Sequence, residues 1–359
     1  MKGSWFADLM TAGLLLCFLT GCARLGPRSI TAGRMAYAEA INQTQDEQIL
    51  LSIVKGRYGE SSTLLAVNGV AANLSFKAEA GIEAGFSGAG DVGEDLLIGG
   101  MAYEENPTIT YVPVQGEEYV RELMTPVPLD LLFLMVRSSS SSPEVMMLLV
   151  SRINGIRNPD FLTDSETQPD VRFKRLVELF SELTRNGTME LVQSTDDTAV
   201  FDIWLAPLTE KDIADTGELM DLLGLPKENR GAGKMVIPVY FGIRADESWR
   251  VGITTRSTYN LAEIMRAAVE VPEEHAVAGL AIDYPNPGPA CKGIRIQSSS
   301  GKPKGRSLAV QYRGYWFWID ESDLETKAVF RFMRSLWSMS IAGATNHASG
   351  PVLTLPVAN

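Results

Sequence analysis

Hydrophobic and polar positions alternate with two distinct periods along this chain, and the first part is dominated by a period of two. Leu74, Phe76, Ala78, Ala80, Ile82, Ala84 and Phe86 alternate with Ser75, Lys77, Glu79, Gly81, Glu83, Gly85 and Ser87. That spacing predicts a long β-strand with one apolar face. A glycine-rich turn around Gly88, Gly90 and Gly93 follows, and the chain returns over residues 100–114. Glu105 and Pro107 are expected to interrupt this return strand. A shorter strand is expected at residues 63–70. Before it, Thr44-x-x-Glu47 reads as a capping box that opens a helix carrying Leu50, Ile53, Val54 and Tyr58 on one side.

A helical period takes over beyond residue 117. Residues 117–124, 129–137 and 143–154 are separated by Pro126, Pro128 and the serine run 138–142. Residues 170–185 place Phe173, Leu176, Val177, Phe180 and Leu183 on one stripe, ended by Asn186-Gly187. Strands are expected around Met189 and at 199–205, then a helix at 210–223. Residues 235–243 and 249–255 suggest a hairpin, and 261–269 a helix. Strands at 294–297, 307–312 and 315–319 precede a closing helix at 323–339. Arg313-Gly314 suits the tight turn between the last two strands. Helices and strands come in clumps rather than in strict alternation, which predicts an α+β fold.

The first residues read differently. Lys2, an apolar stretch from Leu9 to Leu19, and Leu19-Thr20-Gly21-Cys22 form a secretory signal of lipoprotein type. The apolar run is too short to cross a bilayer, which needs ~20 residues. The chemistry expected here joins a diacylglycerol to the Cys22 thiol, cuts before Cys22 and acylates the new amino terminus. Residues 1–21 are thus a signal peptide and 22–30 a short tether. Two further regions follow: residues 31–187, with helix, long hairpin and helical block, and residues 188–359, an α+β region. Ala23 lacks the acidic character that retains lipoproteins in an inner membrane. The expected place is therefore the periplasmic face of an outer membrane, with the periplasmic face of the inner membrane as the alternative.

Composition narrows the chemistry. The 359 residues are 45% hydrophobic and 21% charged, a globular balance, with net charge −12. An acidic chain argues against nucleic acid as a partner. Of the three cysteines, Cys17 lies in the signal and Cys22 at the anchor, so Cys291 is left without an internal partner. Only His275 and His347 are available for histidine chemistry. No metal site, cofactor site or nucleophile paired with a base is expected, and the chain does not read as an enzyme. Gly88-Ala-Gly90-Asp-Val-Gly93 matches a dinucleotide loop in letters but lacks the following helix. Gly231-Ala-Gly233-Lys234 lacks the hydroxyl residue that a phosphate loop needs.

Several segments together resemble a family of uncharacterised bacterial envelope proteins, often described as hypothetical lipoproteins. These are residues 46–58, 107–117, 152–155, 269–272, 312–320 and 351–356. The resemblance implies an envelope location and one shared architecture, and it carries no catalytic motif. Two binding features remain. Trp316 and Trp318 share one strand face and could stack on a sugar, although aromatic residues chiefly supply buried area. The hairpin at 74–112 is long enough for a spanning strand of ~9–11 residues. The expected function is a scaffolding or binding role for a lipid-anchored envelope protein. Its partners are the membrane through the lipid, other envelope proteins or cell-wall polysaccharide. The alternative is an oligomeric pore or export component built through that hairpin.

Overall fold

The computed structural model describes residues 35–62, 64–81, 98–114, 116–138, 142–162, 170–195, 200–207, 209–226, 233–243, 249–305, 308–347 and 353–356. The signal, Cys22, the tether, the hairpin tip with its Gly88–Gly93 pattern and most of the serine run lie outside these residues. The chain has an α+β fold. It divides into two compact units, Met1–Ile49 and Leu50–Asn359.

The first helix, α1, runs over residues 35–57. It begins nine residues before the expected capping box. Ala36, Ala38, Glu39 and Ala40 are strong helix formers that carry the helix through Thr44. Thr44 then serves no cap: its hydroxyl donates back to the Ala40 and Ile41 carbonyls at 2.9 and 3.0 Å.

Strand β1 (Leu64–Gly81) merges the two strands expected at 63–70 and 74–86 and pairs antiparallel with β2 (Ile98–Val114). The register runs from Leu64 opposite Val114 to Gly81 opposite Ile98, with one shift between Val67 and Gly69. Pairing continues through Glu105 and Pro107, contrary to the expected interruption. A third strand near the carboxyl end, Leu353–Pro356, pairs with β2 only from Thr108 to Tyr111. Pro107 lies just beyond that cover, where β2 has an open edge and a proline is tolerated.

Helices α2 (Glu117–Met124), α3 (Leu129–Ser138) and α4 (Ser142–Leu149) lead into β3 (Val150–Ile153) and β4 (Ile156–Arg157). Asn154 and Gly155 both have positive φ, 44° and 92°, and so make the β3–β4 turn that right-twisted strands favour. After β5 (Phe161–Leu162) comes α5 (Val171–Arg185), whose predicted apolar stripe is buried throughout. Strands β6 (Met189–Gln193) and β7 (Phe201–Leu205) precede α6 (Glu210–Leu222). Strands β8 (Met235–Phe241) and β9 (Val251–Thr255) precede α7 (Thr258–Ala267).

These strands form a six-stranded sheet in the order β4-β3-β9-β8-β7-β6. The expected boundary at residue 187 therefore does not divide the fold, because β3 pairs with β9 across it. Nor do β8 and β9 form the expected hairpin. They pair in parallel, Val239 opposite Val251 and Phe241 opposite Ile253. Strand β9 overlaps β8 by only three pairs, Val239–Phe241 with Val251–Ile253. It is buried at nearly every position, as a strand enclosed between β3 and β8 should be.

The remaining elements are α8 (Glu273–Val277), β10 (Asn286–Pro287), a 3-10 turn at Pro289–Cys291, β11 (Gln297–Ser299), β12 (Ala309–Tyr312), β13 (Tyr315–Trp318), α9 (Leu324–His347) and β14, the Leu353–Pro356 strand. Strands β11, β13 and β12 make a second antiparallel sheet. Its hairpin turns at Arg313 and Gly314, with φ 47° and 85°, as the sequence predicts.

Candidate functional site

The aromatic run of β13 is mostly interior. Phe317 is fully buried and Trp318 is 9% exposed, so Trp318 cannot face a ligand. Trp316 is half-buried, and Lys302 Nζ lies 5.0 Å from its ring centroid. The two tryptophans share a strand face as expected but make no open stacking platform. Burial wins because β13 is the central strand of its sheet, paired on both edges.

Phe317 instead packs on Tyr58, at 6.4 Å between ring centroids. Tyr58 also meets Tyr312 edge-on at 5.1 Å, and its hydroxyl lies 2.8 Å from His275 Nδ1. Burial pushes the Tyr58 phenol up to about 12, with Tyr312 adding to the rise. His275 is thus a buried hydrogen-bonding partner. Of the rejected phosphate loop, Lys234 is committed to Trp204, with Nζ 3.2 Å from the ring centroid. Among the described residues, no three His, Cys, Asp or Glu side chains come together as a metal site.

What the sequence did not flag is Arg256, between the end of β9 and the N-cap of α7. It is 1% exposed. Its backbone N–H donates to the Leu149 carbonyl at 2.7 Å. Nη1 donates to the Leu148 and Val150 carbonyls, both at 2.9 Å, and to Met147 at 3.3 Å. Nη2 donates to the Asn158 carbonyl, and Nε to Asp160 Oδ1. The carbonyls of Met147, Leu148 and Leu149 end α4, where no intrahelical donor remains. One guanidinium therefore closes a helix end and fixes the segment after β4. Burial pulls its pKa down, and Asp160 opposes that shift.

Above this buried charge is a cleft of about 460 Å³. One wall is the first half of α5, from Asp170 to Glu178, with Phe173 and Val177 supplying apolar surface. Asp170 caps that helix by accepting from the Arg172 N–H at 3.1 Å. The opposite wall is Pro287, Gly288, Pro289 and Lys292, with Met147 and Asn158 between. Gly288 fits here because a Cβ would lie 2.3 Å from the Pro159 carbonyl oxygen. Its own N–H donates to the Asp160 carbonyl at 2.7 Å.

Asn158 is the polar centre of the cleft, at 2% exposure. Its Nδ2 donates to the Met147 and Val150 carbonyls, both at 2.7 Å, while its buried Oδ1 has no partner among the described residues. A buried unpaired acceptor costs about 1–3 kcal/mol. Arg157, Lys174 and Lys292 line the cleft together with the carboxylates Asp170 and Glu178, and Lys174 Nζ lies 3.8 Å from Glu178. The volume lies in the range of small-ligand sites, ~300–1,000 Å³. The arrangement suits a compact, partly apolar group.

Cys291 adds no nucleophile to this cleft. Its Sγ donates to the Asp160 carbonyl at 2.7 Å, and burial pushes the thiol up to about 12. The neutral thiol is inert, because the thiolate is the reactive form. Native protein at pH 8 is therefore expected to leave Cys291 unmodified by Ellman's reagent, with stoichiometric reaction once denaturant is added. Fast reaction in the native state would show that the thiol is open. The raised pKa also has a sign for stability. The unfolded thiol ionises first, so this contribution is lost as pH rises from ~8.5 towards about 12.

Comparison with known protein families, curated proteins and solved structures finds no match to this chain.

Proposed function

We propose that the chain is a lipid-anchored protein of the bacterial cell envelope, held through Cys22 at the periplasmic face of the outer membrane. Its body serves a binding or scaffolding role there. The single observation that carries this reading is Leu19-Thr20-Gly21-Cys22 at the end of a short apolar run after Lys2. Small residues before the cysteine give the signal peptidase access to the bond. Among the described residues no helix is long and apolar enough to cross a membrane. A lipid would then supply the anchor: each buried methylene contributes ~0.8 kcal/mol, so two or three chains hold firmly where one binds marginally.

The body's binding role is assigned to the cleft around Asn158. Trp316 and Trp318 are not part of that assignment, since Trp318 is buried. The test joins both parts. Wild type should incorporate radiolabelled palmitate and sediment with outer membranes. Cys22→Ser should lose the label and leave the membrane fraction. A wild-type protein whose intact mass shows a bare Cys22 would end the reading. For the cleft, Val177→Trp should fill the cavity and abolish cross-linking of the anchored protein to its envelope partner. Unchanged cross-linking would remove the cleft from the function.

A further inference from the structure

The β1–β2 ribbon has open edges of a particular length. Strand β14 covers β2 only at positions 108–111. From Ala72 opposite Pro107 to Gly81 opposite Ile98, the ribbon continues for ten paired positions with no register shift. Among the described residues it is two-stranded over that stretch, with β1 open on one side and β2 on the other. An isolated two-stranded ribbon is marginal in water. Long open edges are also normally blunted by bulges or prolines. The one register shift among the described pairs, between Val67 and Gly69, and both prolines of β2, Pro107 and Pro113, fall at or before the start of this stretch.

The register sorts the residues in a way the sequence could not. Directly opposed positions of an antiparallel pair belong to one face. Leu74 is opposite Glu105, Phe76 opposite Tyr103, Ala78 opposite Met101 and Ala80 opposite Gly99. The alternate set is Asn73 with Asn106, Ser75 with Glu104, Lys77 with Ala102, Glu79 with Gly100 and Gly81 with Ile98. With Ala72 and Pro107 the first set is apolar or small apart from Glu105, and the other is mostly polar or small apart from Ile98. Ten residues at ~3.4 Å make roughly 34 Å, or about 24 Å of depth at a 45° tilt. That matches the ~25 Å apolar band of an outer-membrane barrel, whose strands alternate lipid-facing and lumen-facing residues.

Resting on the lipid-anchored reading, we propose that copies of this chain join edge to edge through residues 72–81 and 98–107, forming a ring of hairpins that closes as a membrane barrel. Strand β1 of one copy pairs with the open part of β2 of the next. The up-down alternation of the hairpin makes every such junction antiparallel. A head-to-tail contact of this kind leaves no edge unpaired over that ten-residue band once it closes. A second copy is the committed occupant because both open edges belong to one chain and, among the described residues, lie open over the same ten paired positions, 72–81 and 98–107. The apolar set then faces acyl chains and the polar set faces the lumen.

The test uses full-length protein extracted from membranes in mild detergent. Wild type should show one discrete mass, a multiple of a single acylated chain. In a shortened variant, residues 72–107 are replaced by Asn-Gly, which joins the paired positions Ala71 and Thr108 by a two-residue turn. It should keep the acyl chains and the melting temperature of the body but run as one chain. In dye-loaded phosphatidylethanolamine–phosphatidylglycerol vesicles, Phe76→Arg should lower release by about 30-fold or more, as expected for a charge moved to the lipid face, while Ser75→Arg should not. Acylated wild type at single-chain mass, an oligomer that survives the shortening, a second polypeptide in the assembly, or equal effects of the two arginines would overturn the ring. An unacylated wild type would instead overturn the anchored reading on which it rests.

Discussion

Arg256→Met is expected to destabilise the Leu50–Asn359 unit by about 3–5 kcal/mol, the range for breaking a buried ion pair from one side. Methionine fills similar volume and donates nothing. The Asp160 carboxylate would lose its partner, and the carbonyls of Met147, Leu148, Val150 and Asn158 would lose their side-chain donor. Arg256→Lys should recover only part of the loss, since a single ammonium cannot reproduce a planar fork that serves several acceptors. Urea unfolding followed by circular dichroism would read both. A loss under 1 kcal/mol for Arg256→Met would show that the network contributes little. Because Arg256 fixes the segment carrying Asn158, ligand binding in the cleft should weaken before unfolding begins.

Phe317→Ala should cost about 3–5 kcal/mol, and its neighbour Trp316→Ala much less. Phe317 is fully enclosed on the central strand of the second sheet and packs against Tyr58. Its removal leaves a cavity that the paired strands on either side cannot close. Trp316 is only half-buried beside Lys302, so trimming it removes less enclosed surface. Thermal unfolding of the two variants side by side decides the matter. Equal costs would mean that Trp316 is also locked in the core, and a large loss confined to Trp316 would reverse the assignment. The contrast separates a packing role from a sugar-stacking role within one four-residue strand.

Much of the local structure was legible because it is written in short-range periodicity. The α5 stripe from Phe173 to Leu183, the alternation after Leu74 and the Arg313-Gly314 turn each reflect geometry within a few residues. Thr44 misled because a capping box is also compatible with a continuous helix when good helix formers precede it. Strands β8 and β9 misled because an apolar run says that a strand is enclosed and not which neighbour encloses it. The return strand misled because Pro107 breaks a ladder only where both edges are paired, and here one edge is open.

The candidate site was the least visible. Asn158, Gly288 and Arg256 are far apart in the chain, and none has a distinctive neighbour sequence. Only folding brings the end of α4, the segment after β4 and the Pro289–Cys291 turn together around one guanidinium. By itself the sequence determined the α+β class and the long alternating strand, since each rests on the order of a few adjacent side chains. Tertiary structure alone decided that Trp318 is buried, that β8 and β9 run parallel, and that a cleft lies over Arg256. Those facts depend on which distant segments share a boundary, and pairwise contact between remote residues leaves no periodic mark on the chain.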